Sequence, residues 1–202
     1  PLTDAALADL ARAWVGGPVD GRSLHRLLGL AAGRPAVLHE LVEGGRAAGS
    51  LVHDGLIHRL DGEPPLSAAL DAQVAETISG LTAGQRVALE FAVVSTGLDL
   101  DVAIELVEAD TVAGEDVEAL ERLGLLVPAG DELVVTDPLV AEVVRRQLGS
   151  MARRHLNREL ALAAARVGPD ARTPTARRRR VTWAHRGGLD PDPAALHDAA
   201  GD

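Results

Sequence analysis

The chain has 202 residues, 47% of them apolar, and a formal net charge of −10 at pH 7. A chain of this length suggests one large or two small domains. The lack of Cys excludes disulfides, thiolate metal sites and thiol catalysis, and with one Phe, two Trp and no Tyr the hydrophobic core must be aliphatic.

The first segment, residues 1–62, is predicted to be a helical lid that carries a small β-hairpin. Apolar residues at helical spacing predict three helices, which begin near Thr3, Arg22 and Pro35, and Gly44-Gly45 is predicted to end the third. Asp54-Gly55, between two short apolar runs, predicts a tight two-residue hairpin turn. The stretch 61–65 is predicted to be a linker.

Residues 66–149 are predicted to form a winged-helix domain. Three apolar helices are predicted to precede an acidic helix. Residues 125–127 and 133–135 are apolar and partly β-branched, and a turn joins them, so they predict a two-stranded wing. Thr136 or Asp137 can then cap the helix that Pro138 begins.

Residues 150–202 are predicted to be a helical tail that can be the start of helical repeats. Ser150 is predicted to cap a long helix that Gly168-Pro169 ends, and Thr173-Pro174 and Asp192-Pro193 predict the starts of two shorter helices. One unit cannot establish a repeat period. The predicted fold class is therefore mainly α: a helical lid bundle with a small β-hairpin, followed by a winged-helix domain and a helical tail.

Charge is distributed unevenly along the chain. The segment from Asp99 to Glu121 holds nine acids and no base, whereas the segment from Arg145 to Arg186 holds twelve arginines against two acids. Such runs most often mark a solvated face. No window approaches the roughly 18 apolar residues of a membrane span, and no signal peptide begins the chain, so we expect a cytoplasmic protein with no membrane partner. The chain does not begin with Met, so we expect a piece of a longer protein.

No catalytic or metal-binding constellation is predicted. A phosphate-binding loop of the Walker type needs a Lys, and the chain has none. The segment that begins with His39-Glu40 is similar to the zinc-protease helix motif, but Glu43 stands where the second His ligand is required. The other histidines are scattered, and no Gly-x-Ser-x-Gly elbow occurs. We therefore expect no enzyme activity, no metal and no cofactor in this chain alone.

Three motifs, in this order, resemble those of one protein family. Residues 33–41, Gly-Arg-Pro-Ala-Val-Leu-His-Glu-Leu, resemble the Gly-x-Pro helix start in the lid of STAND-class signalling ATPases, especially large ATP-binding LuxR-type transcriptional regulators. Residues 120–126 with 134–140 resemble the winged-helix signature of that family, and residues 153–161 resemble the helix that follows it. The resemblance covers most of the chain to about Ala165.

The resemblance implies that this chain is a regulatory, non-catalytic module from the middle of such a protein. Its partners would be an upstream nucleotide-binding domain and downstream helical repeats of the same chain. It would couple the ATP or ADP state of the upstream domain to the repeats, and DNA would be bound only by a further terminal domain. An oligomeric parent protein is compatible with this assignment.

The resemblance also implies nucleotide-binding residues. The Gly-x-Pro segment lines the adenine side of the nucleotide in such proteins, which points to Gly33, Arg34 and Pro35, with Arg34 in place of the commoner Asn. The winged helix often supplies a His to the nucleotide phosphate just before the Pro of its last helix, and Asp137 occupies that position here. A carboxylate would repel phosphate unless a metal ion or an arginine lies between them. From the residues alone, Gly33 and Pro35 can also serve as helix punctuation, and Asp137 as an N-cap.

The alternative function is a winged-helix domain that binds DNA directly as a transcription factor. Residues 115–122, in the helix that would enter the major groove, carry four acids against one arginine, whereas duplex DNA bears about one negative charge per 1.7 Å of its axis. Only the run Arg177–Arg180 has the charge to grip phosphate, and no aromatic platform accompanies it beyond Trp183. Charge therefore argues against DNA binding, and we expect the run to form a solvated or interdomain face.

Overall fold

The computed structural model describes residues 2–62, 64, 66–168 and 173–190. This part of the chain is mainly helical, with two small antiparallel sheets, so the predicted fold class is confirmed. Internal contacts divide the chain into two units. The first contains the described residues up to Gly80 together with Asp137–Val140, and the second contains Leu81–Thr136 and the described residues from Ala141 onward.

Three helices form the core of the first unit: α1 (Asp4–Val15), α2 (Gly21–Ala31) and α3 (Pro35–Ala47). Thr3 caps α1 as predicted, because the Ala6 N–H donates to its hydroxyl at 3.4 Å. Helix α3 packs against α1 and α2 and continues through Gly44 and Gly45. The helix ends at Ala47, two residues beyond the predicted Gly44-Gly45, and Gly45 is buried on the packed face, where an added Cβ would lie 3.3 Å from Leu51. The larger buried apolar residues of the unit, including those of α4 (Ala68–Ser79), are Leu7, Val15, Val19, Leu27, Leu30, Val37, Leu38, Leu41, Val42, Leu70, Val74, Ile78, Leu139 and Val140.

The hairpin of the first unit pairs β1 (Leu51–His53) with β2 (His58–Leu60). Four residues, 54–57, connect the strands, so the predicted two-residue turn is wrong. The reason is local: the Asp54 carboxylate accepts from the N–H groups of Leu56 and Ile57, each at 3.1 Å. This side chain stabilises a wider turn and keeps two apolar residues out of the strand.

The second unit contains most of the segment that was predicted to be a winged-helix domain. Its elements are, in order, α5 (Ala83–Ser95), β3 (Leu98–Asp99), α6 (Leu100–Glu108), α7 (Gly114–Arg122), β4 (Leu126–Ala129) and β5 (Glu132–Val135), and α8 (Pro138–Gln147) follows. The predicted wing is present, but the sheet has a third strand, in the order β3-β5-β4. Two residues are too few to show strand periodicity, so sequence alone gave no signal for β3.

The tail of the chain packs on this unit. Helix α9 (Ser150–Val167) contacts α5, α6 and α10 (Pro174–Gly187). Gly149, not Ser150, occupies the N-cap position of α9, whereas Thr173 caps α10 as predicted. The helix expected at Asp192-Pro193 lies outside the described residues. The larger buried residues around α5 are Leu89, Phe91, Val93, Leu98, Val102, Leu106, Leu120, Leu126, Leu133, Leu156, Leu160 and Trp183.

Candidate functional site

Two of the four residues that the family resemblance singles out form an ion pair, although 103 positions separate them. Arg34 Nη1 donates to Asp137 Oδ2 and Arg34 Nη2 to Asp137 Oδ1, both at 2.8 Å. The side chains are 36% and 29% exposed, so the pair is partly shielded from water. Two parallel N–H···O bonds are the strongest geometry available to an arginine and a carboxylate.

The turn between α2 and α3 positions Arg34. Ala32 and Gly33 both adopt the left-handed conformation, with φ of 46° and 78°, and they turn the chain sharply after α2. Arg34 is extended, as the residue before a proline must be, and Pro35 begins α3. The Arg34 Nε donates to the Ala31 carbonyl at 3.1 Å, which orients the guanidinium at the C-terminus of α2.

Asp137 has a second role at the start of α8. Its Oδ1 accepts from the Leu139 N–H at 2.9 Å, and Pro138 is the first helical residue. This is the geometry of an N-cap. The Asp137 carboxylate therefore caps α8 and also binds the start of this helix to Arg34.

This arrangement does not fit a nucleotide phosphate at Asp137. Both oxygens of Asp137 already accept hydrogen bonds, from Arg34 and from the Leu139 N–H. All three guanidinium nitrogens of Arg34 donate to protein oxygens. An arginine was expected beside Asp137 if this carboxylate were to face a phosphate, and Arg34 is such an arginine. Its charge, however, neutralises Asp137 and is not directed at a ligand.

Gly33 also lies in the wall of an open groove. Its lining is partly apolar and includes the carboxylate of Asp4 and the imidazole of His25. The carboxylate makes this groove less suited to a phosphate than to an uncharged ring. The residues that line the groove are Leu2, Asp4, His25, Leu28, Gly29, Ala32 and Gly33.

Two residues of the arginine run, which sequence reasoning treated as a solvated or interdomain face, form ion pairs inside the second unit. Arg179 pairs with Glu132, and Arg180 Nη2 lies 3.1 Å from Asp99 Oδ2. Both arginine side chains are only 12% exposed. Their partners lie 47 and 81 residues earlier in the chain, so no local pattern in the sequence reveals these contacts.

The helix that would read DNA carries exposed acids. Glu115, Glu118 and Glu121 of α7 are all exposed. Asp116 instead lies beside the N-terminus of α5, 3.3 Å from the Thr82 hydroxyl. This face of α7 would repel the phosphates of a duplex.

Two histidines that looked scattered in the sequence meet across the hairpin. His53 and His58 are cross-strand partners, and their ring centroids lie 4.4 Å apart. Burial, and then the charges of His53 and Arg46, hold the pKa of His58 below its usual value. In the described part of the chain, no group of three or more metal-ligating side chains is close enough to hold a metal ion.

Comparison with protein-family models, with curated proteins and with solved structures finds no match to this chain. The family resemblance therefore rests on the sequence motifs alone. Among the described helices, none has the length and hydrophobicity needed to cross a membrane.

Proposed function

We propose that this chain is a regulatory, non-catalytic module of an ATP-dependent, LuxR-type transcriptional regulator of the cytoplasm. In this proposal an upstream ATPase domain binds ATP or ADP, and the chain passes the nucleotide state to downstream helical repeats. The function of this chain is conformational coupling, and a separate terminal domain binds DNA.

The observation that carries the proposal is the pair Arg34–Asp137. Both residues occupy positions that face the nucleotide in the family that the motifs resemble, and both depart from the common residue there. A change of Asn to Arg and of His to Asp would each be unfavourable alone, since each leaves a charge without a partner. Together the two changes form one bidentate contact, with both distances at 2.8 Å.

The pair also suggests how coupling would differ in this protein. In the family that the motifs resemble, a His just before the last helix of the winged helix often contacts the nucleotide phosphate. In this chain Arg34 contacts the start of α8 in place of a phosphate. The nucleotide would therefore act on the lid through the residues around Gly33. The partly apolar groove beside Gly33 is the surface proposed for the adenine ring.

Calorimetry on the isolated chain is the first test. We expect neither ATP hydrolysis nor tight ATP binding, because the chain has no Lys for a Walker loop. Micromolar ATP affinity, or turnover that a substitution in this chain abolishes, would overturn the lid assignment.

The decisive test uses the longer protein that the proposal requires. Exchange of ADP for a non-hydrolysable ATP analogue should change the hydrogen exchange of the first turn of α8. The double variant Arg34→Asn/Asp137→His should tighten ADP binding, because it restores a phosphate-facing donor and leaves no arginine unpaired. Unchanged ADP affinity in a folded double variant would show that α8 does not approach the nucleotide in this protein.

A further inference from the structure

Two carboxylates face each other across the sheet of the second unit. Asp99 of β3 and Glu132 of β5 are direct partners in the antiparallel register, so both side chains lie on the same face of the sheet. Like charges in directly opposite positions destabilise strand pairing. The other pair between these strands is Leu98 with Leu133, and both of these side chains are buried. Neutralisation of the two carboxylates therefore favours the pairing of β3 with β5.

Arg179 and Arg180 of α10 supply the neutralising charges. The Arg179 guanidinium donates to both oxygens of Glu132, and Arg180 donates to Asp99 Oδ2 at 3.1 Å. Asp99 is 8% exposed, and its Oδ1 also accepts from the Asp101 N–H at 3.1 Å as the N-cap of α6, so Arg180 supplies the charged partner of a carboxylate that is already hydrogen-bonded. Two adjacent residues of α10 thus neutralise the carboxylates of two adjacent strands.

The same arginines hold the backbone around the sheet. Arg179 Nη1 donates to the carbonyls of Thr96 and Gly97, where α5 ends, at 3.1 and 2.7 Å. Arg180 Nη1 donates to the Gly168 carbonyl, where α9 ends, at 2.8 Å. Gly97 leaves room for this contact, because a Cβ there would overlap the Arg179 guanidinium. The two side chains therefore connect the ends of two helices to both strands.

We propose that the docking of α10 and the pairing of β3 with β5 form one electrostatic switch. With α10 docked, the arginines neutralise Asp99 and Glu132 and the strands pair. With α10 released, the facing carboxylates repel each other and β3 separates from β5. Resting on the proposed function, this switch gives the module its output: a partner that pulls on α10 opens the wing sheet, and a change in the wing releases α10.

Hydrogen exchange on the full chain tests the switch without any nucleotide. In Arg179→Gln/Arg180→Gln, amide exchange should rise at least tenfold both in α10 and at the β3–β5 pair, while α1–α3 keep their protection. Arg186→Gln is the matched control, because Arg186 lies exposed on the same helix. Unchanged exchange at β3–β5 in the double variant, or an equal rise in the control, would overturn the proposal.

A second variant separates the switch from a simple loss of stability. Adding Asp99→Asn/Glu132→Gln to the arginine double variant removes the repulsion, so β3–β5 should regain its protection while α10 stays unprotected. If the arginine double variant does not fold, the added substitutions should restore folding, and failure to do so would overturn the proposal. This test of the switch does not depend on the proposed function. If the switch works but the longer protein shows no response to nucleotide, only the regulatory assignment is refuted.

Discussion

Asp137 combines two roles that substitutions can separate. Asp137→Ala removes both the cap of α8 and the partner of Arg34, and loss of a cap alone costs about 0.5 to 2 kcal/mol. Asp137→Asn keeps an acceptor for the Leu139 N–H but loses the charge. We expect urea unfolding to rank the free energies as wild type, then Asn, then Ala. Equal stability of all three proteins would mean that neither contact contributes.

The pKa of His58 predicts how the stability of the first unit changes with acid. Its folded-state pKa lies below the ordinary value of 6.5, so the unfolded chain binds the proton more readily. Stability should therefore fall as the pH drops below about 6.5. His53, Arg46 and Asp54 are the charged neighbours, and the low pKa of Asp54 matters only below its ordinary value of 3.8.

Thermal unfolding between pH 7 and pH 5, followed by circular dichroism, measures this effect. Wild type should lose more stability over that range than His58→Gln, which has no proton to bind at position 58. A loss of the same size in both proteins would assign the acid sensitivity to another group.

Sequence reasoning at the residue scale found Arg34 and Asp137 but not their pairing. Each was singled out by a local motif, and the charge argument asked for an arginine near Asp137 without naming one. The contact itself depends on tertiary structure across 103 positions. Arg179 and Arg180 belong to a charge run that the sequence shows, but their pairing with Asp99 and Glu132 comes from a strand register that only the folded chain defines.

At the scale of elements, the end of α5 is a sterically constrained turn. Gly97 has φ of 118°, and a Cβ there would overlap both Arg179 and Glu132. Gly97→Ala should therefore destabilise the chain by about 1 to 3 kcal/mol or more. Gly130→Ala is the control, because Gly130 also has positive φ but nothing lies within 4 Å of an added Cβ. Chemical denaturation should show the larger loss for Gly97→Ala, and equal losses would exclude a steric contribution from the arginine contact.

Helices were largely predictable because caps and apolar spacing are local. Thr3, Thr82 and Thr173 each cap the helix that follows, through hydroxyls that accept backbone N–H groups. The errors lie where a local signal was ambiguous or absent. Asp54 selected a wider turn than its Asp-Gly dipeptide suggested, and β3 was too short to show a pattern.

At the scale of the whole molecule, the structure changes which arginines can meet an anionic partner. Arg179 and Arg180 are engaged in the sheet, whereas Arg153, Arg154 and Arg158 of α9 are exposed. We expect no sequence-specific binding to duplex DNA. Any weak association should depend on the α9 arginines and should fall steeply with salt, since only phosphate neutralisation drives it.

Fluorescence anisotropy with labelled duplexes at several salt concentrations checks this expectation. Arg153→Gln/Arg154→Gln/Arg158→Gln should abolish the low-salt signal for every sequence alike. Salt-resistant binding of the wild type to one sequence would revive the alternative function of a direct transcription factor.

The role proposed for the chain depends most on the contact between Arg34 and Asp137. A double-mutant cycle with Arg34→Gln and Asp137→Asn, read by urea unfolding, isolates that contact from the cap, because Asn retains the acceptor. We predict a coupling energy of about 1 kcal/mol or more, as expected for a bidentate, partly buried pair. A coupling energy near zero would contradict the proposal that Arg34 takes the place of the nucleotide phosphate at the start of α8.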